Sequence, residues 1–229
     1  MRRSAGRSWS IALYATLGVA RTAAAQAPAR AAVDAVRAAL DSMGGVAAVR
    51  AIVSVRVEGA GYATGDGDPP APAVFSFTET RADRHPQLVQ DVTVIAGPQT
   101  STRSVRTLML EGDSVRIESN GKTQRRSERA MDDWFTEAPE NVLLAALDAP
   151  DLAPDRDRAV RFTWHGRAVR LAFAPTTAVL MFVVLDGVTT TFSRWQAGDG
   201  FKYPRQWNMS RNGVSTESYT ARRVTIVRG

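Results

Sequence analysis

The chain of 229 residues contains no cysteine. That excludes disulfides, a thiol nucleophile, a thiolate metal site and the lipidated cysteine of an anchored lipoprotein, so the fold must be held by its core alone. Histidine is almost as scarce. Only His85 and His165 occur, neither with a second histidine at ligand spacing, whereas a zinc hydrolase needs three protein ligands around an open position. Both read as solvent-facing turn residues. The one apolar run near the N-terminus, Trp9 to Ala20, is too short for a permanent membrane anchor. A basic stripe is missing as well, because the 29 Lys and Arg are interspersed with 23 Asp and Glu, and no nucleic-acid partner is expected.

Familiar catalytic motifs are present only as near misses. "SNGKT", Ser119 to Thr123, ends like a phosphate-binding loop, but Arg116 stands where the first glycine belongs. "GAGYATG", Gly59 to Gly65, has no helix after it and fails the dinucleotide test. "GDGD", with Asp66 and Asp68, lacks the further oxygen ligands of a calcium loop. No Gly-x-Ser-x-Gly elbow occurs. Asp132, Asp133, Glu137 and Glu140 offer carboxylates for glycoside cleavage, yet at a helix start such residues complement the helix dipole.

What is present begins with Arg2, Arg3 and Arg7, the apolar run, and then "RTAAAQA", the order of a secretory leader. Residues 1–25 are expected to be removed after Ala25, leaving residues 26–229 as a single domain. Loss of Arg2, Arg3, Arg7 and Arg21 leaves 25 basic against 23 acidic side chains. "KTQRRSER", Lys122 to Arg129, is the one dense basic run and reads as a solvated loop.

Val33, Val36, Leu40 and Met43 recur at helical spacing with Asp34, Arg37 and Asp41 between them, and Gly44 follows as a C-cap. From Val53 onward the period is two. Candidate strands fill most of the remaining chain, separated by Asn120-Gly121, Asp186-Gly187, Asp199-Gly200, Asn212-Gly213 and His165-Gly166, so successive strands are expected to pair as antiparallel hairpins. Between Glu128 and Leu152 the pattern returns to helix, with Pro139 at a helix start. The strand "AVLMFVVL", Ala178 to Leu185, is apolar at every position and is expected to be covered on both faces.

"ALDSMGGVAAVRAIVSVRVEGAG", Ala39 to Gly61, resembles the opening of exported bacterial proteins with the LolA/LolB-like lipoprotein-carrier fold. "VRLAFAPTTAVLMFVVLDG" and "FSRWQAGDGFKYPRQWNMSRNGVSTESYTARRVTIV" look like that group's late hairpins. The same fold precedes the catalytic domain of some exported metallo-β-lactamase-like hydrolases. The resemblance implies a mainly β fold with α-helices: an incomplete antiparallel barrel, or strongly curved sheet, wrapped around short helices and offering an apolar concave surface to acyl chains. The expected function is therefore that of a periplasmic carrier for a lipid, a lipoprotein acyl chain or another apolar ligand. The competing reading is a non-catalytic accessory domain that binds an envelope protein. Neither reading makes the chain an enzyme or gives it a cofactor or metal, and both expect a monomer. The expected ligand lining is Trp134, Phe135, Leu143, Leu147, Leu180, Phe182 and Val184.

Overall fold

A computed structural model describes residues 29–64, 72–82, 87–97, 103–111, 114–119, 121–127 and 132–229. The expected leader lies outside these residues. Six strands run as a meander, β1 (Ile52–Ala63), β2 (Ala73–Ala82), β3 (Gln87–Ala96), β4 (Arg103–Glu111), β5 (Ser114–Ser119) and β6 (Lys122–Ser127). Seven more form a second meander, β7 (Ala153–Pro154), β8 (Ala159–Trp164), β9 (Arg167–Phe173), β10 (Leu180–Leu185), β11 (Val188–Gly198), β12 (Phe201–Arg211) and β13 (Val214–Arg228). The two meanders join where β1 pairs with β13, giving one antiparallel sheet ordered β6-β5-β4-β3-β2-β1-β13-β12-β11-β10-β9-β8-β7. It is curved but not closed, since β6 and β7 are its two edges.

This topology fixes the place of the helices. The chain must travel from the β6 edge to the β7 edge, and it does so through α3 (Asp132–Glu137) and α4 (Pro139–Asp148), which cross the concave face and pack on β10 and β8. Pro139 opens α4 at its first turn, where its missing N–H costs nothing. Val142, Leu143 and Ala146 on α4 and Phe135 on α3 are fully buried, in one core with Leu180, Val183 and Leu185 of β10. The N-terminal helix α1 (residues 29–43) adds Val36, Leu40 and Met43, all fully buried, with Val33 at the margin. Its end is fixed by backbone bonds from Gly44 to Asp41 (3.1 Å) and from Gly45 to Leu40 (2.9 Å), before α2 (Val46–Arg50) leads into β1.

Four hairpins turn on a pair of residues that both have positive φ: His165-Gly166, Asp186-Gly187, Asp199-Gly200 and Asn212-Gly213. These are the primed turns whose twist matches paired strands.

Two local expectations are revised. The basic run read as a loop is the edge strand β6 over Lys122–Ser127, paired with β5 from Ser119↔Lys122 to Ser114↔Ser127. Its residues 122–126 are all exposed, so neither face shows an apolar pattern. Nor is β10 covered on both faces: Met181 is 43% exposed on the convex side.

Candidate binding site

Gly59 and Gly61 of β1 lie at the centre of the concave face. Gly61 pairs with Phe75 on β2 and Tyr219 on β13, and Gly59 pairs with Phe77. A Cβ on Gly61 would meet the Phe75 ring at 2.4 Å, and one on Gly59 would meet the Thr220 carbonyl at 2.2 Å and the Phe77 ring at 2.9 Å. The bare backbone is what allows the two phenyl rings to lie down across β1. Phe75 and Phe77 then meet Tyr219 edge to face, with centroids 5.7 and 5.4 Å apart, and Tyr219 stacks on Trp207 at 5.2 Å.

Against this aromatic floor lies a cleft of about 160 Å³, walled by Ala63, Phe75, Phe77, Val92 and Tyr219. Its polar lining is Thr78, Glu79, Gln90 and Glu217. Gln90 Nε2 donates to Glu79 Oε2 at 2.9 Å, and the Tyr219 hydroxyl donates to Glu217. Burial, with Glu137 and Glu217 nearby, pushes the Tyr219 phenol well above its usual range, so the ring stays neutral. The arrangement can hold an apolar group against aromatic faces.

Behind the cleft lies a buried ionic cluster. Arg81 is 1% exposed and is surrounded by Glu79, Glu137 and Glu140, each 5% exposed or less. The guanidinium bonds Glu79, donates to the Glu137 carbonyl at 3.1 Å and to the Tyr203 hydroxyl at 3.0 Å, and has a Glu140 oxygen at 3.8 Å. The Tyr203 hydroxyl in turn donates to Glu140 Oε2 at 3.0 Å, while Trp207 Nε1 donates to Glu137 Oε2 at 3.1 Å. Burial opposes the charge on Arg81, but Glu79, Tyr203, Glu140 and Glu137 together hold its pKa well above the usual arginine value. Burial, reinforced by Glu140, raises the Tyr203 phenol in the same way. The cluster thus pins the α3–α4 junction to β2 and β12. Glu137 and Glu140, expected merely to complement a helix dipole, face inward; the signal was two acids flanking Pro139 between the aromatic pair Trp134-Phe135 and the apolar run Val142 to Leu147.

The expected lining residues are placed elsewhere. Phe135 stacks on Trp164 at 3.7 Å, Leu143 and Leu180 have no exposure, and Leu147 packs at the core margin. The Trp134 side chain lies outside the described residues. Phe182 and Val184 fall on the convex face, because a register shift between Leu180 and Phe182 turns Leu180, Val183 and Leu185 inward. The Phe182 ring lies under the Arg170 guanidinium, 5.7 Å away. Neither the aromatic cleft nor the larger cavity between β12 and β13 is lined by any of these residues.

Among the described residues no three His, Cys, Asp or Glu side chains converge as a metal site would require. No helix there is long and apolar enough to cross a membrane.

No family model and no curated protein matches the chain. Solved structures do. A LolA superfamily protein from Nitrosomonas europaea aligns over 83% of this chain and 94% of its own, at 11% identity and a TM-score of 0.48. A DUF1329 family protein from Desulfovibrio piger aligns over 87% and 93%, at 12% identity and a TM-score of 0.49. A beta-barrel-like protein of the domain of unknown function DUF1849 from Brucella abortus covers 77% and 98%, at 10% identity and a TM-score of 0.25. At these scores the fold reading rests on the chain's own geometry. The open antiparallel sheet around short helices has the curved, incompletely closed form that the sequence resemblance implied.

Proposed function

We propose that the protein is an exported, non-catalytic binding or carrier protein for an apolar chain, whose end seats in the aromatic cleft. The observation that carries this reading is the cleft itself: Gly59 and Gly61 give up side chains at the sheet centre, and Phe75, Phe77 and Tyr219 converge there beside open space. At about 160 Å³ the space is smaller than the roughly 300–1,000 Å³ typical of small-molecule pockets. It therefore takes the end of an acyl chain rather than a whole lipid. Each buried methylene contributes about 0.8 kcal/mol, so affinity should rise over the first few carbons and then level off.

The test is titration with a neutral fluorescent acylglycerol, alongside native mass spectrometry of the purified protein for copurified lipid. Ala63→Phe, which puts a ring into the cleft from its wall, should lower binding at least tenfold, whereas Phe182→Arg on the convex face should leave it unchanged. If the probe binds no better than to an unrelated exported β-protein, or binds equally to Ala63→Phe, the reading fails and the accessory-domain reading takes its place. Export with cleavage after Ala25 belongs to the same proposal, and the intact mass of the secreted product checks it.

A further inference from the structure

The sheet is continuous in strand order but not in pairing. β12 pairs with β13 only from Arg211↔Val214 to Gln206↔Thr220. Beyond that point Phe201 to Pro204 of β12 remain paired with β11, and Ala221 and Arg223 to Arg228 of β13 remain paired with β1. The two strands thus part into a V. A cavity of about 330 Å³ occupies the V, with Phe201 and Tyr203 on one lip and Val224 and Ile226 on the other. That volume lies within the range of small-molecule sites.

Two guanidinium groups stand at its two ends. Arg228 lies at the mouth, where it donates to the Asp199 carbonyl at 3.0 Å and covers the Phe201 ring at 5.5 Å. Arg205 lies at the apex, next to the last paired residue, Gln206. Its Nε and one terminal nitrogen are buried without a hydrogen-bond partner. Buried donors in folded proteins are almost always satisfied, and a charged one is the costliest to leave bare. The neighbouring acid, Asp199, sits at the mouth end, in the β11–β12 turn, and makes no ion pair with Arg205.

We propose that the V between β12 and β13 is a binding site for a small anionic amphiphile, a carboxylate or phosphate head on Arg205 with a short apolar segment between the two lips. This site is separate from the aromatic cleft. The cleft lies at the Glu217–Tyr219 end of β13, and the V at the Val224–Arg228 end.

The probes are octanoate, octyl phosphate and octanol, titrated into the mature protein by calorimetry, with thermal melts alongside. At least one of the two anions should bind at one equivalent and ten times more tightly than octanol, and the comparison of the two shows which head is preferred. Arg205→Met should abolish that preference and leave the ligand-free melting temperature unchanged or higher. Ile226→Trp, which fills the cavity while keeping Arg205, should also lose binding, so the test survives a poorly folding Arg205 variant. Ala63→Phe, in the wall of the aromatic cleft, should retain the anion preference even if it removes acylglycerol binding. The proposal is overturned if octanol matches both anions, if neither anion binds, if Arg205→Met binds as wild type does, or if Ile226→Trp does.

Discussion

The hydroxyl of Tyr203 sits 3.0 Å from an Arg81 nitrogen although 122 residues of chain separate them. Through this contact β2, on one side of the β1–β13 seam, is tied to β12 on the other, and Glu140 ties both to α4. Removing the cation would leave Glu79, Glu137 and Glu140 buried around an apolar side chain. Arg81→Met should therefore cost about 3–5 kcal/mol, the range for breaking a buried charge pair from one side. Arg81→Met with Glu79→Gln should cost less than the two single changes added together. Urea unfolding of the four proteins measures both, and additive losses would show that Glu79 and Arg81 are not coupled.

Alkaline pH gives a second reading of the same region. Burial first, with Glu140 for Tyr203 and Glu137 for Tyr219, raises both phenols well above the ordinary tyrosine value. A raised folded-state pKa means that the folded state keeps protons which the unfolded state releases. The contribution is fully present below the unfolded pKa, about 10, and is lost as pH rises above it. Each such tyrosine can remove up to about 1.4 kcal/mol per pH unit there. Urea midpoints at pH 8, 9, 10 and 11 should be level at first and then fall steeply. Tyr203→Phe should flatten the fall, and a slope identical to wild type would contradict the assignment.

What the sequence disclosed and what it hid divide along chain distance. The primed turns were legible because both residues of each turn are adjacent, and helix α1 because its face repeats within fifteen residues. The glycines of "GAGYATG" were visible but meant nothing until the register set Gly61 opposite Phe75 and Tyr219. Apart from Glu79 and Arg81, two positions apart on β2, the cluster joins residues 56 to 122 positions apart, beyond any local pattern. Phe182 and Val184 were assigned inward by simple alternation, which the shift at Met181 overrides.

The Gly44-Gly45 pair separates strain from crowding. Both residues have positive φ, 131° and 98°, but a Cβ on Gly44 would also lie 2.8 Å from the Gly200 carbonyl, whereas one on Gly45 meets nothing within 4 Å. Gly45→Ala should cost about 1 kcal/mol from backbone strain alone. Gly44→Ala should cost more, about 2–3 kcal/mol, because the end of α1 must also move off the β11–β12 turn. Thermal or urea unfolding of the two variants gives the order, and a Gly45 variant less stable than the Gly44 one would contradict the close approach.

Among the described residues strand β6 is an open edge, paired with β5 on one side and with no strand on the other. Bare edges template pairing with other chains, and charged side chains are a common defence. Lys122, Arg125 and Arg126 are exposed, and the register sets Arg125 and Arg126 on opposite faces of β6. Arg125 does pair with Glu111 at 3.0 Å, but with 71% of its side chain in solvent that contact is worth less than about 1 kcal/mol. These residues should therefore matter little to the stability of a single molecule and much to its solubility. Lys122→Thr with Arg125→Thr and Arg126→Thr should shift the urea midpoint by no more than the equivalent of about 1 kcal/mol. The same variant should form aggregates on prolonged warming that wild type does not. Light scattering over time, at matched protein concentration below the melting temperature, reads the difference. A variant that stays as dispersed as wild type would show that the charges of β6 do not guard the edge.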